Sequence, residues 1–310
     1  MPRAINHAEL RTQFRTSVCR LLNRLRTFAQ YVLKVDDLLG LGVYISEFDP
    51  FDLNEAIIFQ PFSEQELHDY GIDEVLVQNE EILKKLDLPD WTPPEPANEK
   101  GVISRREEEL DAMKAGERVF EYLEAMYSCL SKLYDDMSPL SMARNWTDIP
   151  IPHPEYSWPP ELGHNSWTRE YGLLNHGPTP EHVGWQYQSA SEWKDRPKRG
   201  DPRAQPHVRL VVVHGATGDP NGVLLGELGA IAQVIYNRLN QPSFENESYF
   251  PVLMISLFGP RHGRILQAVY RRAGYLELRV TRIHDFTKPD EAPFDLFLRY
   301  LASYPRRDDY

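Results

Sequence analysis

The stretch Phe250-Pro-Val-Leu-Met-Ile-Ser-Leu-Phe258 constrains the fold of this chain more than any other. With one hydroxyl as its only polar side chain, it cannot alternate between core and water, so a strand here must be central and covered on both faces. The flanking segments fit around it. Val208-Arg-Leu-Val-Val-Val-His214 reads as a second buried strand, Gly215–Gly222 as a turn, and Val223-Leu-Leu225 as a short strand or helix lead-in. Leu228, Ile231, Ala232, Ile235 and Leu239 then recur at helical spacing until Pro242. Arg264–Arg271 and Tyr275–Ile283 form a hairpin about Ala273-Gly274. Pro293 suits the first turn of a closing helix that buries Phe294, Phe297, Leu298 and Leu301.

The N-terminal part reads as helix. Leu10, Phe14, Val18, Leu21, Leu25, Phe28 and Val32 step by three or four, one apolar face flanked by Arg11, Arg15, Arg20, Arg24 and Arg26. Ser63 with Glu66 makes a capping box for a short helix, and Asp73 begins another through Leu86. Four prolines keep residues 87–100 extended as a linker. Ser104 with Glu107 opens a long acidic helix whose stripe of Leu110, Met113, Phe120, Leu123, Tyr127, Leu130 and Tyr134 skips a step at Gly116, where a partner helix fits. The expected partner is the basic first helix, drawn by burial of both stripes and oriented by charge.

Between Ser138 and Pro206, eleven prolines and five of the six tryptophans break any helical pattern, and only Val183-Gly-Trp-Gln-Tyr187 alternates like a strand. So many indoles argue for a loop anchored on the fold rather than a disordered tail. The expected architecture is α+β: a mainly helical region (1–137), a Pro/Trp-rich connector (138–206) and a C-terminal α/β unit (207–310), with a single domain over 138–310 as the alternative division.

Charge narrows the function. Residues 1–35 carry +6, residues 36–137 carry −18 and the remainder is neutral, which gives −12 in all. A protein that grips nucleic acid with its whole surface would not look like this. Two cysteines, Cys19 and Cys129, provide neither a disulfide framework nor a zinc site. No apolar run approaches a membrane span, and the start lacks a secretory layout. These features predict a soluble, intracellular protein, cytoplasmic or nuclear. The Arg-rich first helix leaves a mitochondrial presequence, a membrane-surface helix or a nucleic-acid arm as alternatives to internal packing.

Candidate chemistry is sparse. His153, His164, His176 and His182 share the Pro/Trp loop with Glu155 and Glu161 but lack zinc-site spacing, so no metal site is expected. The Gly215–Gly222 turn between strand and helix occupies a ligand-binding place in α/β folds, yet lacks a phosphate-loop motif. Arg261, His262 and Arg264, with Arg271, Arg272, Arg279 and Arg282, form a basic cluster that reads either as a solvated strand edge or as an acidic-ligand contact. Glu192-Trp193-Lys194 is an acid-x-Lys triplet, and Glu227 precedes a helix near His214 and Asp219. Two-metal nucleases need carboxylates converging on Mg²⁺ and a Lys that polarises water.

The order of elements from His207 to Ile283 resembles the later part of the restriction-endonuclease-like fold. That resemblance implies a Mg²⁺ centre using His214, Asp219, Glu227, Glu192 and Lys194. The departures imply a degenerate copy: Gly229 stands where Lys is expected after Glu227, and His214 ends the strand where Asp is expected. Separately, Pro251–Gln267, Arg282-Ile-His-Asp-Phe286 and Ala292–Phe297 resemble uncharacterised proteins encoded in filamentous fungal genomes, over the last quarter of the chain, with no activity implied. The leading expectation is a non-catalytic binding or scaffolding protein with a protein partner and no cofactor. The alternative is a Mg²⁺-dependent nuclease-like hydrolase, with nucleic acid as partner.

Overall fold

The computed structural model describes residues 7–52, 58–69, 80–81, 88–92, 104–133, 145–149, 173–176, 184–195 and 203–306. The chain enters through α1 (His7–Leu25), β1 (Val32–Lys34), α2 (Val35–Gly40), β2 (Val43–Glu47), β3 (Phe59–Gln60), α3 (Glu64–Asp69) and the long α4 (Arg105–Leu133). It continues through β4 (Trp146–Asp148), β5 (Asn175–His176), β6 (Trp185–Asp195), β7 (Arg203–Thr217) and β8 (Gly222–Leu224) into α5 (Leu225–Asn240). It closes with β9 (Val252–Gly259), β10 (His262–Tyr270), β11 (Leu276–Val280), β12 (His284–Asp285), α6 (Phe294–Leu301) and β13 (Tyr304–Pro305). The fold is α+β, and no helix among the described residues is long and apolar enough to cross a membrane.

Among the described residues one sheet holds nine strands, ordered β2-β11-β10-β9-β7-β6-β4, with β12 on β10 and β5 on β6. As its composition requires, β9 lies in the middle, parallel to β7 and antiparallel to β10, with all eight residues buried. α5 is the crossover helix that a parallel neighbour demands. Both sheet faces are covered. Val208, Leu210, Val212, Met254, Leu266 and Ala268 face α5 and α1, whereas Val211, Val213, Leu253, Ile255, Leu257 and Ile265 face α4 and α6. The hairpin forms as β10 and β11, closed by Gly274 at φ +85°.

The N-terminal and connector segments both feed this sheet: β2 pairs with β11, and β6 with β7. β6 runs for eleven residues, well beyond the short alternation at Trp185–Tyr187, because Gln188 forms a bulge that breaks the period of two. The connector indoles that are described, Trp146, Trp185 and Trp193, are buried as expected. The four loop histidines are outside the described side chains, as is most of the candidate helix from Asp73 to Leu86.

The pairing of basic α1 with acidic α4 is corrected: they pack on opposite faces of the sheet. α1 buries Phe14, Val18, Leu21, Leu22 and Leu25 against α5. Three of its arginines, Arg11, Arg15 and Arg24, donate to backbone oxygens. Arg11 donates to the carbonyls of Leu239, Phe244 and Glu247, and Arg15 to Leu239, at the negative end of α5. α1 also stops at Leu25, since Val32 is taken into β1 by pairing with Leu224. Gly116 does admit a close neighbour, but a strand: a Cβ there would lie 2.8 Å from Val213 Cγ1 of β7. Both capping boxes form, Ser63 with Glu66 and Ser104 with Glu107.

Candidate functional site

Two places gather polar side chains, and they differ in what they leave for a ligand. The first is built where β8 enters α5. The Leu224 N–H donates to Glu227 Oε2 at 2.7 Å, the reach-back that caps a helix start. On β10, Arg264 faces the same way and holds both carboxylate oxygens, Nε to Oε1 at 2.8 Å and Nη2 to Oε2 at 2.5 Å. Its Nη1 reaches the carbonyls of Gly222 (2.9 Å) and Asp219 (3.3 Å), so one guanidinium ties strand, turn and helix together. Burial pushes the Glu227 carboxyl upward, but the charge and hydrogen bonds of Arg264, with a smaller contribution from His214, hold it below the ordinary range. His214 is sealed nearby, against Gly226 and Trp185, and burial drives its imidazole down to about 4. It is therefore neutral at pH 7.

Around this node the other predicted residues scatter. Asp219 sits in the turn, accepts from the Asn221 N–H, and pairs with Lys34 of β1 at 2.6 Å. Those two hydrogen bonds, the Lys34 one foremost, lower its carboxyl. Glu192 and Lys194 do lie on a strand, β6, but Glu192 is spent on Arg238 of α5 at 2.9 Å and on Lys194 at 3.4 Å. It pairs with Val208, six residues along β7 from His214. At ~3.3 Å per residue that places it ~20 Å from the Glu227 node. The five residues therefore do not converge as the nuclease resemblance requires. Among the described residues no group of three or more His, Cys, Asp or Glu is placed to hold a metal ion.

The basic cluster is likewise taken apart. Arg264 and Arg261 are buried rather than solvated, with Arg261 donating to the Pro89 carbonyl at the cis Gly259-Pro260 corner. His262 Nδ1 lies 2.8 Å from the Pro260 carbonyl oxygen. Arg271 pairs with Glu277, and Arg279 stacks over Phe48 at 5.2 Å. These cations stitch the hairpin to its surroundings, which leaves no open anion site at Arg261, His262 and Arg264.

The second place is a cleft of about 540 Å³ between α4 and the β4–β6 edge of the sheet, within the usual range for small-molecule sites. Arg209 of β7 forms its floor. The guanidinium lies between the rings of Tyr127 and Trp146, 5.0 and 5.1 Å from their centroids, and donates to the Leu301 carbonyl and to Ser191 Oγ. The Ser191 hydroxyl in turn donates to Asp148 Oδ1 at 3.3 Å, directly across from it on β4. At the mouth stands Glu124 of α4, exposed and with no hydrogen-bond or ion-pair partner among the described residues. Desolvation by the cleft walls raises its carboxyl, Arg209 opposes this and Asp148 adds to it. Gln188, turned by the bulge, also lines the cleft, with a buried Nε2 that meets no acceptor among the described residues. The sequence offered one clue to this site, an arginine inside an otherwise apolar buried strand. Nothing in its sequence context sets Glu124 apart from the other acids of the long helix.

No family model matches the chain, and no curated protein or solved structure matches it either.

Proposed function

We propose that the chain is a non-catalytic intracellular binding protein that recognises its partner or ligand through the cleft between α4, β4 and β6. The observation that carries this reading is a contrast in availability. Glu227, the carboxylate a hydrolase would need, is enclosed and spent on Arg264 and a helix start. Glu124 and Asp148 instead line an open cleft, both exposed, and Glu124 has no hydrogen-bond or ion-pair partner among the described residues. An exposed carboxylate of this kind is free to accept a charge-assisted hydrogen bond from a bound group, roughly twice as strong as a neutral one. The cysteine-poor composition fits a reducing compartment.

The test is a thermal-shift screen of the full chain against small polar ligands, run beside the cleft-filling variant Ser189→Trp. Ligands that stabilise the native chain but not the variant support the reading. The rival reading, a Mg²⁺-dependent nuclease-like hydrolase, predicts Mg²⁺-dependent cleavage of DNA that disappears in a folded Glu227→Gln variant. That result would replace the proposal.

A further inference from the structure

We infer that the cleft takes a small organic cation, a primary amine whose ammonium sits against Glu124 and Asp148 and whose carbon body lies on Phe120. The inference rests on reading this cleft as the recognition site, and it goes further by naming the ligand's chemistry.

Donors and acceptors in the lining decide the ligand's charge. The one cation among the described lining residues, Arg209, is turned inward: both its terminal nitrogens donate within the protein, two aromatic faces flank it, and its Nε, though without a partner among the described residues, is sealed from solvent. An incoming anion therefore finds no open guanidinium edge. Against that single buried charge stand two carboxylates, Glu124 and Asp148, which leave the lining one unit negative. Among the described residues Asp148 accepts one side-chain hydrogen bond, from the Ser191 hydroxyl at a long 3.3 Å, and Glu124 accepts none. A carboxylate has about four acceptor positions, so a three-donor ammonium is the group that satisfies this pair with charge-assisted bonds. The volume, about 540 Å³, admits a ligand much larger than ammonium itself.

Two sources share this chemistry: a free small amine and the lysine side chain of a partner. The test is calorimetric titration of the full chain with phenethylamine, with 2-(2-aminoethoxy)ethanol, which carries an ether oxygen, and with Nα-acetyl-lysine amide. Each is paired with its N-acetylated, uncharged form. The expected result is binding by the amines and loss of about tenfold or more on acetylation and in Glu124→Gln, an exposed position where the fold is not at risk. Tightest binding by either free amine assigns a small-molecule ligand, and tightest binding by the lysine amide assigns a side chain of a partner; both support the inference. Equal binding of acetylated and free amines, or unchanged binding in Glu124→Gln, overturns it. If neutral ligands bind and lose affinity in Ser189→Trp, the amine inference fails while the recognition-site reading stands. If no ligand of any charge distinguishes the native chain from Ser189→Trp, both fail.

Discussion

Arg264 grips Glu227 through both carboxylate oxygens across 37 residues of chain, and neither side chain reaches water. An ion pair so enclosed adds little net stability over apolar packing, but leaving one member behind is costly. Arg264→Met should therefore lower the unfolding free energy by about 3–5 kcal/mol, measured by urea titration. The double variant with Glu227→Leu should recover a large part of that loss, short of the cap to Leu224. A loss under about 1 kcal/mol in Arg264→Met would mean that the carboxylate has access to water.

Two buried imidazoles make stability pH-dependent. His214 and His284 are each held at about 4, against 6.5 in the unfolded chain, by burial first; Glu227 opposes this at His214 while Arg264 adds to it, and Arg282 adds to it at His284. Between those values the unfolded state binds more protons, so stability is complete above pH 6.5 and drains away as pH falls toward 4. Each histidine accounts for about 3 kcal/mol over that window. Glu227, whose carboxyl is depressed, keeps its contribution until below the ordinary carboxylate range, so the loss above pH 4.5 belongs to the histidines. Denaturation at pH 7.0 and 5.0 should show the drop, and His214→Phe should flatten it, whatever its own cost at pH 7.

Gly116 lets α4 lie on β7. A methyl group there would stand 2.8 Å from Val213 Cγ1, so Gly116→Ala must push helix and strand apart. The expected cost is about 1–3 kcal/mol despite the better helix propensity of alanine. A more stable Gly116→Ala variant would show that α4 is not seated as described.

Arg11 secures the end of α5 through three carbonyl oxygens. Arg11→Met keeps the apolar stem and removes the charge. It should cost about 1.5–3 kcal/mol and speed amide exchange in the segment 237–244. Exchange unchanged there would place the role of Arg11 elsewhere.

What the sequence disclosed was the part of the fold governed by short-range chemistry. Phe250–Phe258 had to be central because no residue in it suits a wet face, and the capping boxes and the Ala273-Gly274 hairpin are local patterns. The partner of α1 was not legible, because Arg11 and Arg15 pair with carbonyls and composition records only charged partners. β6 stayed hidden because a bulge at Gln188 shifts its inward face midway. The Glu227 node was half legible: the acid at a helix start was visible, but the cation that disarms it comes from a strand 37 residues on. The cleft was the least legible, since Glu124, Asp148 and Arg209 meet only after three elements pack.

The central claim is that Glu227 is structural and holds no metal. It is tested most directly by the unfolding free energy of the native chain and of Glu227→Gln, each with and without millimolar Mg²⁺. The account predicts a clear loss in the variant and no effect of Mg²⁺ on either protein. Stabilisation of the native chain by Mg²⁺ that vanishes in Glu227→Gln would contradict it.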